Sequence, residues 1–285
     1  MDRNIFIASG IVLALCLSAC KRNQDPTGMI EKTYAAPGGE VYSETEIYDN
    51  SGGNLYRIYY PQNLNAGRPV VVWGNGTGAQ PKNYEGIFRH LASWGFVVID
   101  TYSKTTGTGA EILAAAEYIV HENEVAASVF YHKLDVAHVG AVGHSQGATG
   151  VINAHTRYPG GSLIKTVVPI ALPALKWSDA DDKKYSTADI TSSLFIMGGG
   201  ADGLISPVKS NREAFDNTHA NLPAAMGIAI GSGHNAILDN GGRHRGYLTA
   251  WLRYRLTGDD NARAAFLGEI QENKDWKDVQ VKNIQ

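Results

Sequence analysis

Residues 136–150, VAHVGAVGHSQGATG, decide the fold. A β-branched run stops at Gly143-His144-Ser145-Gln146-Gly147, and a run of small residues with helical character follows. A strand that turns at once into a helix holds its central Ser in a strained backbone conformation, with no room for side chains two residues to either side. Gly143 and Gly147 supply that room, and Ser145 is left at the tip. The helix start aims unpaired N–H groups and the positive end of its dipole at the same point, which suits an oxygen that becomes negative during acyl transfer. In a chain with 32 glycines the pattern G-x-S-x-G can arise by chance in a loop. Its setting between a strand and a helix gives it meaning here.

Working outward, the pattern alternates. Residues 68–73 (RPVVVW) and 96–100 (FVVID) are short unbroken apolar runs of the kind buried on both sheet faces, and residues 164–172, 194–198 and 224–230 read the same way. Helical periodicity falls between them, over residues 84–94, 108–124, 146–158, 207–217 and 243–256. Strands separated by helices predict right-handed crossovers and a parallel sheet. Two alternating runs at residues 41–49 and 55–61, joined by Asn50-Ser51-Gly52-Gly53-Asn54, predict an antiparallel hairpin at its front. The expectation is one α/β domain over residues 41–258: a mostly parallel central sheet with an antiparallel N-terminal hairpin and helices on both faces. A C-terminal helix and polar tail over residues 259–285 completes it. No internal repeat or linker divides the domain.

The first twenty residues are of another kind. Arg3 precedes an apolar run over residues 5–17 that is too short to span a bilayer and has the form of a secretory signal. It ends in Leu17-Ser18-Ala19-Cys20, which resembles the bacterial lipobox. That resemblance implies cleavage after residue 19, lipidation of Cys20 and export to a membrane surface; Lys21 rather than Asp at the next position points to the outer membrane. An ordinary cleaved signal or a retained apolar anchor is the alternative. Residues 21–40, polar with Pro26, Gly28, Pro37, Gly38 and Gly39, read as a flexible tether. With Cys16 in the removed segment and Cys20 lipidated, no thiol is left for a disulfide, a nucleophile or a metal site. A formal charge of −3 without a basic run does not suggest a nucleic-acid partner.

A serine hydroxyl needs a base within hydrogen-bond reach, itself oriented by a carboxylate. Of nine histidines, His234 fits best, because Gly231-Ser232-Gly233-His234 is a Gly-rich loop just after the last strand, where an imidazole can hang over the sheet edge. Open α/β sheets place their sites at such loops. His121, His132, His155 and His244 fall on helices or polar loops and read as solvated. His144, on the strained turn, projects away from Ser145. Asp202, also after a buried strand, is the preferred acid, with Asp100 as runner-up; the cluster Asp179, Asp181, Asp182 reads as a solvated loop. The order Ser145, Asp202, His234 is that of the α/β-hydrolase triad. Gln146, just after the Ser, and Thr77, in the Gly74-Asn75-Gly76-Thr77-Gly78 loop, are the expected backbone donors to the oxyanion. No metal or organic cofactor is implied: no Cys/His cluster has ligand spacing, and the Gly-rich loop lacks the dinucleotide fingerprint.

Four phrases carry a family resemblance: residues 91–99 (LASWGFVVI), Gly143-His144-Ser145-Gln146-Gly147, residues 201–208 (ADGLISPV) and Gly231-Ser232-Gly233-His234. Over residues 68–256 the chain resembles the bacterial cutinase and polyester hydrolase branch of the α/β-hydrolases, which includes enzymes acting on poly(ethylene terephthalate). The resemblance implies carboxylic ester hydrolysis through an acyl-enzyme, with Ser145 as nucleophile, His234 as base and then acid, Asp202 as its orienting carboxylate, and Thr77 and Gln146 as oxyanion donors. The chain departs from that branch in several places. Thr77 stands where an aromatic residue is usual, and Gln146 replaces Met. Pro173 takes the place of the substrate-stacking Trp, leaving Trp177 four residues on as the candidate substrate-binding ring; the C-terminal disulfide is absent. The insert over residues 172–192 is short and polar, which predicts an open site. A non-catalytic binding lipoprotein on the same fold, or a serine peptidase or amidase, are the competing readings. Nothing in the sequence sets the oligomeric state.

Overall fold

The computed structural model describes residues 26–178 and 183–285. The signal segment, Cys20 and the cluster Asp179, Asp181, Asp182 lie outside them. The nine strands among the described residues form one sheet, ordered β1-β2-β4-β3-β5-β6-β7-β8-β9. The central strands β3 (Arg68–Gly74), β4 (Val97–Thr101), β5 (Leu134–His144), β6 (Ile164–Ile170), β7 (Ser193–Gly199) and β8 (Ala224–Ala229) run parallel. At one edge the hairpin β1 (Tyr42–Tyr48) and β2 (Asn54–Pro61) adds antiparallel to β4. This is the α/β-hydrolase fold with the mixed sheet that the alternation predicts.

Helices α3 (Ala110–Glu122), α4 (Gln146–Thr156) and α5 (Val208–Asp216) cover one face, over a core of Val70, Val72, Ile99, Ile112, Ile152 and Ile196. On the other face α1 (Met29–Ala35), α2 (Glu85–Ser93), α6 (Arg245–Thr257) and α7 (Asp260–Ala264) bury Trp73, Phe88, Phe195, Trp251 and Phe266. Each fully buried side chain of this size contributes about 1.5–3 kcal/mol. The parallel strands are therefore the rigid element from which the loops at their carboxyl ends project.

Two boundaries differ from the sequence reading. Residues 28–40 are no tether but part of the folded body. Glu31 of α1 is fully buried, accepting hydrogen bonds from Trp276 Nε1 at 2.9 Å and Asn273 Nδ2 at 2.7 Å. Both oxygens of Glu269 cap the helix, at 2.7 Å from the Ile30 N–H and 2.9 Å from that of Glu31. Polar residues that read as solvated meet buried polar partners some 240 positions away in sequence. The tail is no polar appendage either. After α7, a π turn (Ala265–Glu269) and α8 (Ile270–Glu272), the chain adds strand β9 (Trp276–Lys282) antiparallel to β8. Its charges are those of an edge strand, which tolerates them on the outer side. Among the described residues no helix is long and apolar enough to cross a membrane.

Candidate active site

Strand β5 ends at His144, and Ser145 follows at φ 55°, ψ −119°, with α4 starting at Gln146. A side chain rarely adopts this conformation, and here it is held from both sides. The Ser145 N–H donates to the Ile170 carbonyl of β6 at 3.0 Å. A Cβ on Gly143 would collide with the backbone of Gly147, and one on Gly147 with the carbonyl of Gly74. Backbone against backbone cannot give way, so both positions require glycine.

The three triad candidates converge. Ser145 Oγ lies 2.8 Å from His234 Nε2, and His234 Nδ1 lies 2.5 Å from Asp202 Oδ2. A carboxylate can only accept, so Nδ1 carries the proton and Nε2 is left to accept the Ser145 hydroxyl. Asp202 is buried; its other oxygen accepts the N–H groups of Ile205 and Ser206, each at 3.3 Å. Burial pushes its pKa up, but the hydrogen bond and charge of His234 and these N–H groups outweigh it, leaving the pKa below the usual Asp value.

A cleft of about 350 Å³ opens in front of Ser145, lined by Gly76, Thr77, Gly78, Asn83, Leu238 and His234 among others. Thr77 is exposed and lines it. Among the described residues the backbone N–H groups of Thr77 and Gln146 have no protein acceptor. The Gln146 side chain is held elsewhere, its Oε1 accepting the Thr106 N–H at 3.0 Å. Among the described residues no group of three or more His, Cys, Asp or Glu is arranged to hold a metal ion.

Other candidates are placed elsewhere. Trp177, the expected substrate-binding ring, does not line the cleft; half-exposed, it donates from Nε1 to the Leu204 carbonyl at 3.0 Å. The runner-up acid Asp100 is sealed in the core, neither oxygen making a well-formed hydrogen bond and neither touching His234. Burial drives its carboxyl well above the usual range, only partly offset by the Thr101 N–H and the Asn75 amide. His155 and His244 are buried rather than solvated: His155 finds partners at both nitrogens, the Gly161 carbonyl and Thr191 Oγ1, whereas His244 meets the Gly198 carbonyl through Nε2 and leaves Nδ1 without a hydrogen bond. A larger cavity of about 620 Å³, between residues 174–176 and α5, contains none of the triad candidates.

Sequence reasoning missed a buried pair beneath the cleft. The ring nitrogens of His144 are engaged by Tyr84 Oη at 3.0 Å and the His234 carbonyl at 2.9 Å. Tyr84, at the head of α2, carries no motif that would single it out.

Comparison with known proteins shows the family. Residues 17–283 match the family model for PETase, described as PET hydrolase-like. The chain belongs to this family. It is 27% identical over 224 residues to a bis(hydroxyethyl) terephthalate hydrolase of Streptomyces coelicolor, an alignment covering 74% of this chain and 64% of that protein. It is also 26% identical over 191 residues to chlorophyllase-1 of Citrus unshiu and of Citrus sinensis, covering 60% of this chain and 56% of theirs. The chain thus spans about three-fifths of the length of the curated relatives it matches. Within the PET hydrolase-like family, the resemblance drawn from residues 91–99 and 201–208 and the two glycine motifs holds across nearly the whole sequence.

Proposed function

We propose that the protein is a serine carboxylic ester hydrolase. The observation that carries this reading is the unbroken line Ser145 Oγ, His234, Asp202, with contacts of 2.8 and 2.5 Å. Ser145 Oγ attacks the ester carbonyl carbon while its proton passes to His234 Nε2. The carbonyl oxygen, now negative, is held by the N–H groups of Thr77 and Gln146, each worth roughly 3 kcal/mol in the transition state. The intermediate collapses, the alcohol leaves with the proton from His234, and an acyl-Ser145 ester remains. Water, deprotonated by the same imidazole, then releases the acid. Asp202 stays ionised throughout and stabilises the imidazolium.

The ester class is supported by the family and by the names of its relatives, one of which hydrolyses a terephthalate ester. The cleft here is open and holds no aromatic clamp from Trp177, which favours small or loosely held acyl groups. Export and lipid anchoring through Cys20 belong to the same proposal and rest on the Leu17-Ser18-Ala19-Cys20 signal. Cys20→Ser should shift the precursor from the membrane to the soluble fraction.

The test is turnover of a panel of p-nitrophenyl esters and matched anilides by purified protein lacking residues 1–19, beside Ser145→Ala. Ester hydrolysis lost in the variant is expected. A wild-type protein inert to every ester would remove the proposal, and anilide turnover above ester turnover would make it an amidase.

A further inference from the structure

Resting on that reading, we propose that Tyr84 and His144 form a buried strut that sets the oxyanion loop against the loop carrying the general base. Both act as positioning residues rather than catalytic ones. The chain of contacts is continuous: the Gly76 N–H donates to Tyr84 Oη at 2.9 Å, Tyr84 Oη meets His144 Nδ1 at 3.0 Å, and His144 Nε2 meets the His234 carbonyl at 2.9 Å. Gly76 precedes Thr77, and His144 precedes Ser145. One short hydrogen-bonded line therefore ties together the backbone of all three working parts: oxyanion loop, nucleophile turn and base loop.

The proton order along this line is fixed. A carbonyl oxygen can only accept, so His144 Nε2 carries a proton; in the neutral ring Nδ1 must then accept, and Tyr84 donates to it. The Tyr84 oxygen keeps a lone pair for the Gly76 N–H. Burial, and next the charge of His234, pull the His144 pKa down to about 3, so the ring stays neutral when His234 takes up its proton. Reversal of any one bond would leave two like groups facing each other.

The line is also rigid. Tyr84 is fully buried among aromatic rings, with centroids 5.2 Å from Trp73 and 5.9 Å from Phe88. The loop rests directly on the strut: a Cβ on Gly76 would fall 2.9 Å from His144 Nδ1 and 3.2 Å from Tyr84 Oη. On its other side the same loop is tied down by Asn75 Nδ2 to the Thr101 carbonyl at 2.5 Å and by Thr106 Oγ1 to the Asn75 carbonyl at 2.7 Å. Without the strut it is held from that side alone. An oxyanion donor displaced by less than 1 Å loses transition-state binding while ground-state binding is little changed.

The test is a double-mutant cycle on short soluble esters, with kcat normalised to sites titrated by a fluorophosphonate. Tyr84→Phe removes one oxygen and keeps the ring. It should lower kcat by about tenfold or more, with KM within about twofold. His144→Phe should do the same, and the double variant should be no worse than the worse single one, because all three break one line. His144→Gln serves where the Phe variant does not fold. In 15N-labelled wild type, His144 should be the Nε2-protonated tautomer between pH 5 and 8. Wild-type kcat in Tyr84→Phe, losses that multiply in the double variant, or a proton on His144 Nδ1 would each overturn the strut. Loss of the ester hydrolase reading looks different: the wild type itself would be inert.

Discussion

Gly147, in the first turn of α4, lies against the carbonyl of Gly74, the last residue of β3. The contact brings the helix start onto the strand end from which the oxyanion loop departs, so the two proposed N–H donors share one rigid support. Gly147→Ala would set a methyl group into that carbonyl, with backbone on both sides and nothing able to yield. Overpacking of this kind costs about 1–3 kcal/mol, and it would also part Thr77 from Gln146. Ester turnover should fall by two orders of magnitude or more. Gly39→Ala, where an added Cβ meets nothing within 4 Å, is the control and should be neutral in urea unfolding and in rate.

Asp202 holds His234 in the tautomer that leaves Nε2 free for Ser145. Asp202→Asn keeps the shape but offers no charge to the imidazolium, and should lower kcat by about 10³ to 10⁴ with little change in KM. Asp100→Asn is the contrast: a buried carboxyl, pushed up by burial, is replaced by a neutral isostere, and kcat should stay within about threefold. Equal losses in the two variants would mean that the acid has been misassigned.

The central strands were legible because a strand buried on both faces must be an unbroken apolar run, as at Val70-Val71-Val72-Trp73. Ser145, His234 and Asp202 were legible for a related reason: each follows such a strand, where the fold puts its chemistry. What escaped the sequence depends on partners distant along the chain. Glu31 reads as a solvated tether residue until Asn273 and Trp276 are seen to enclose it, and β9 reads as polar because edge strands are polar. His155, His244 and the strut pair Tyr84 and His144 carry no local mark of burial.

The buried histidines predict how stability responds to acid. Burial lowers the pKa of His144 to about 3, and those of His90 and His244 to about 4, the charge of Arg245 adding to burial at His90. The unfolded chain binds a proton at each near pH 6.5, and the folded one does not. Their contribution is therefore full above pH 6.5 and is lost as the pH falls toward the folded values. Between pH 7.5 and 5.5 each accounts for about 1.4 kcal/mol, roughly 4 kcal/mol together. Glu31 and Asp100, both raised by burial, have the opposite sign: their contributions are full below their unfolded values and fade as pH rises, which offsets the loss. Urea unfolding of Asp100→Asn, in which the Asp100 offset is removed, should give a clearly lower stability at pH 5.5 than at 7.5; equal or higher stability at 5.5 would contradict the buried neutral imidazoles.

The N-terminal helix is tied to the C-terminal segment through Glu31, and Glu31→Ala strands the Trp276 and Asn273 donors in the interior. The expected loss is about 2–4 kcal/mol in urea unfolding, with unchanged kcat per folded molecule. A loss below about 0.5 kcal/mol would show that α1 docks only loosely.

The most direct measurement is peptide mapping by mass spectrometry after reaction with a fluorophosphonate. A single adduct on Ser145 is expected in the wild type, with labelling abolished in His234→Ala and in Ser145→Ala. A wild-type chain left unmodified, or an adduct on another residue, would mean that Ser145 is not an activated nucleophile.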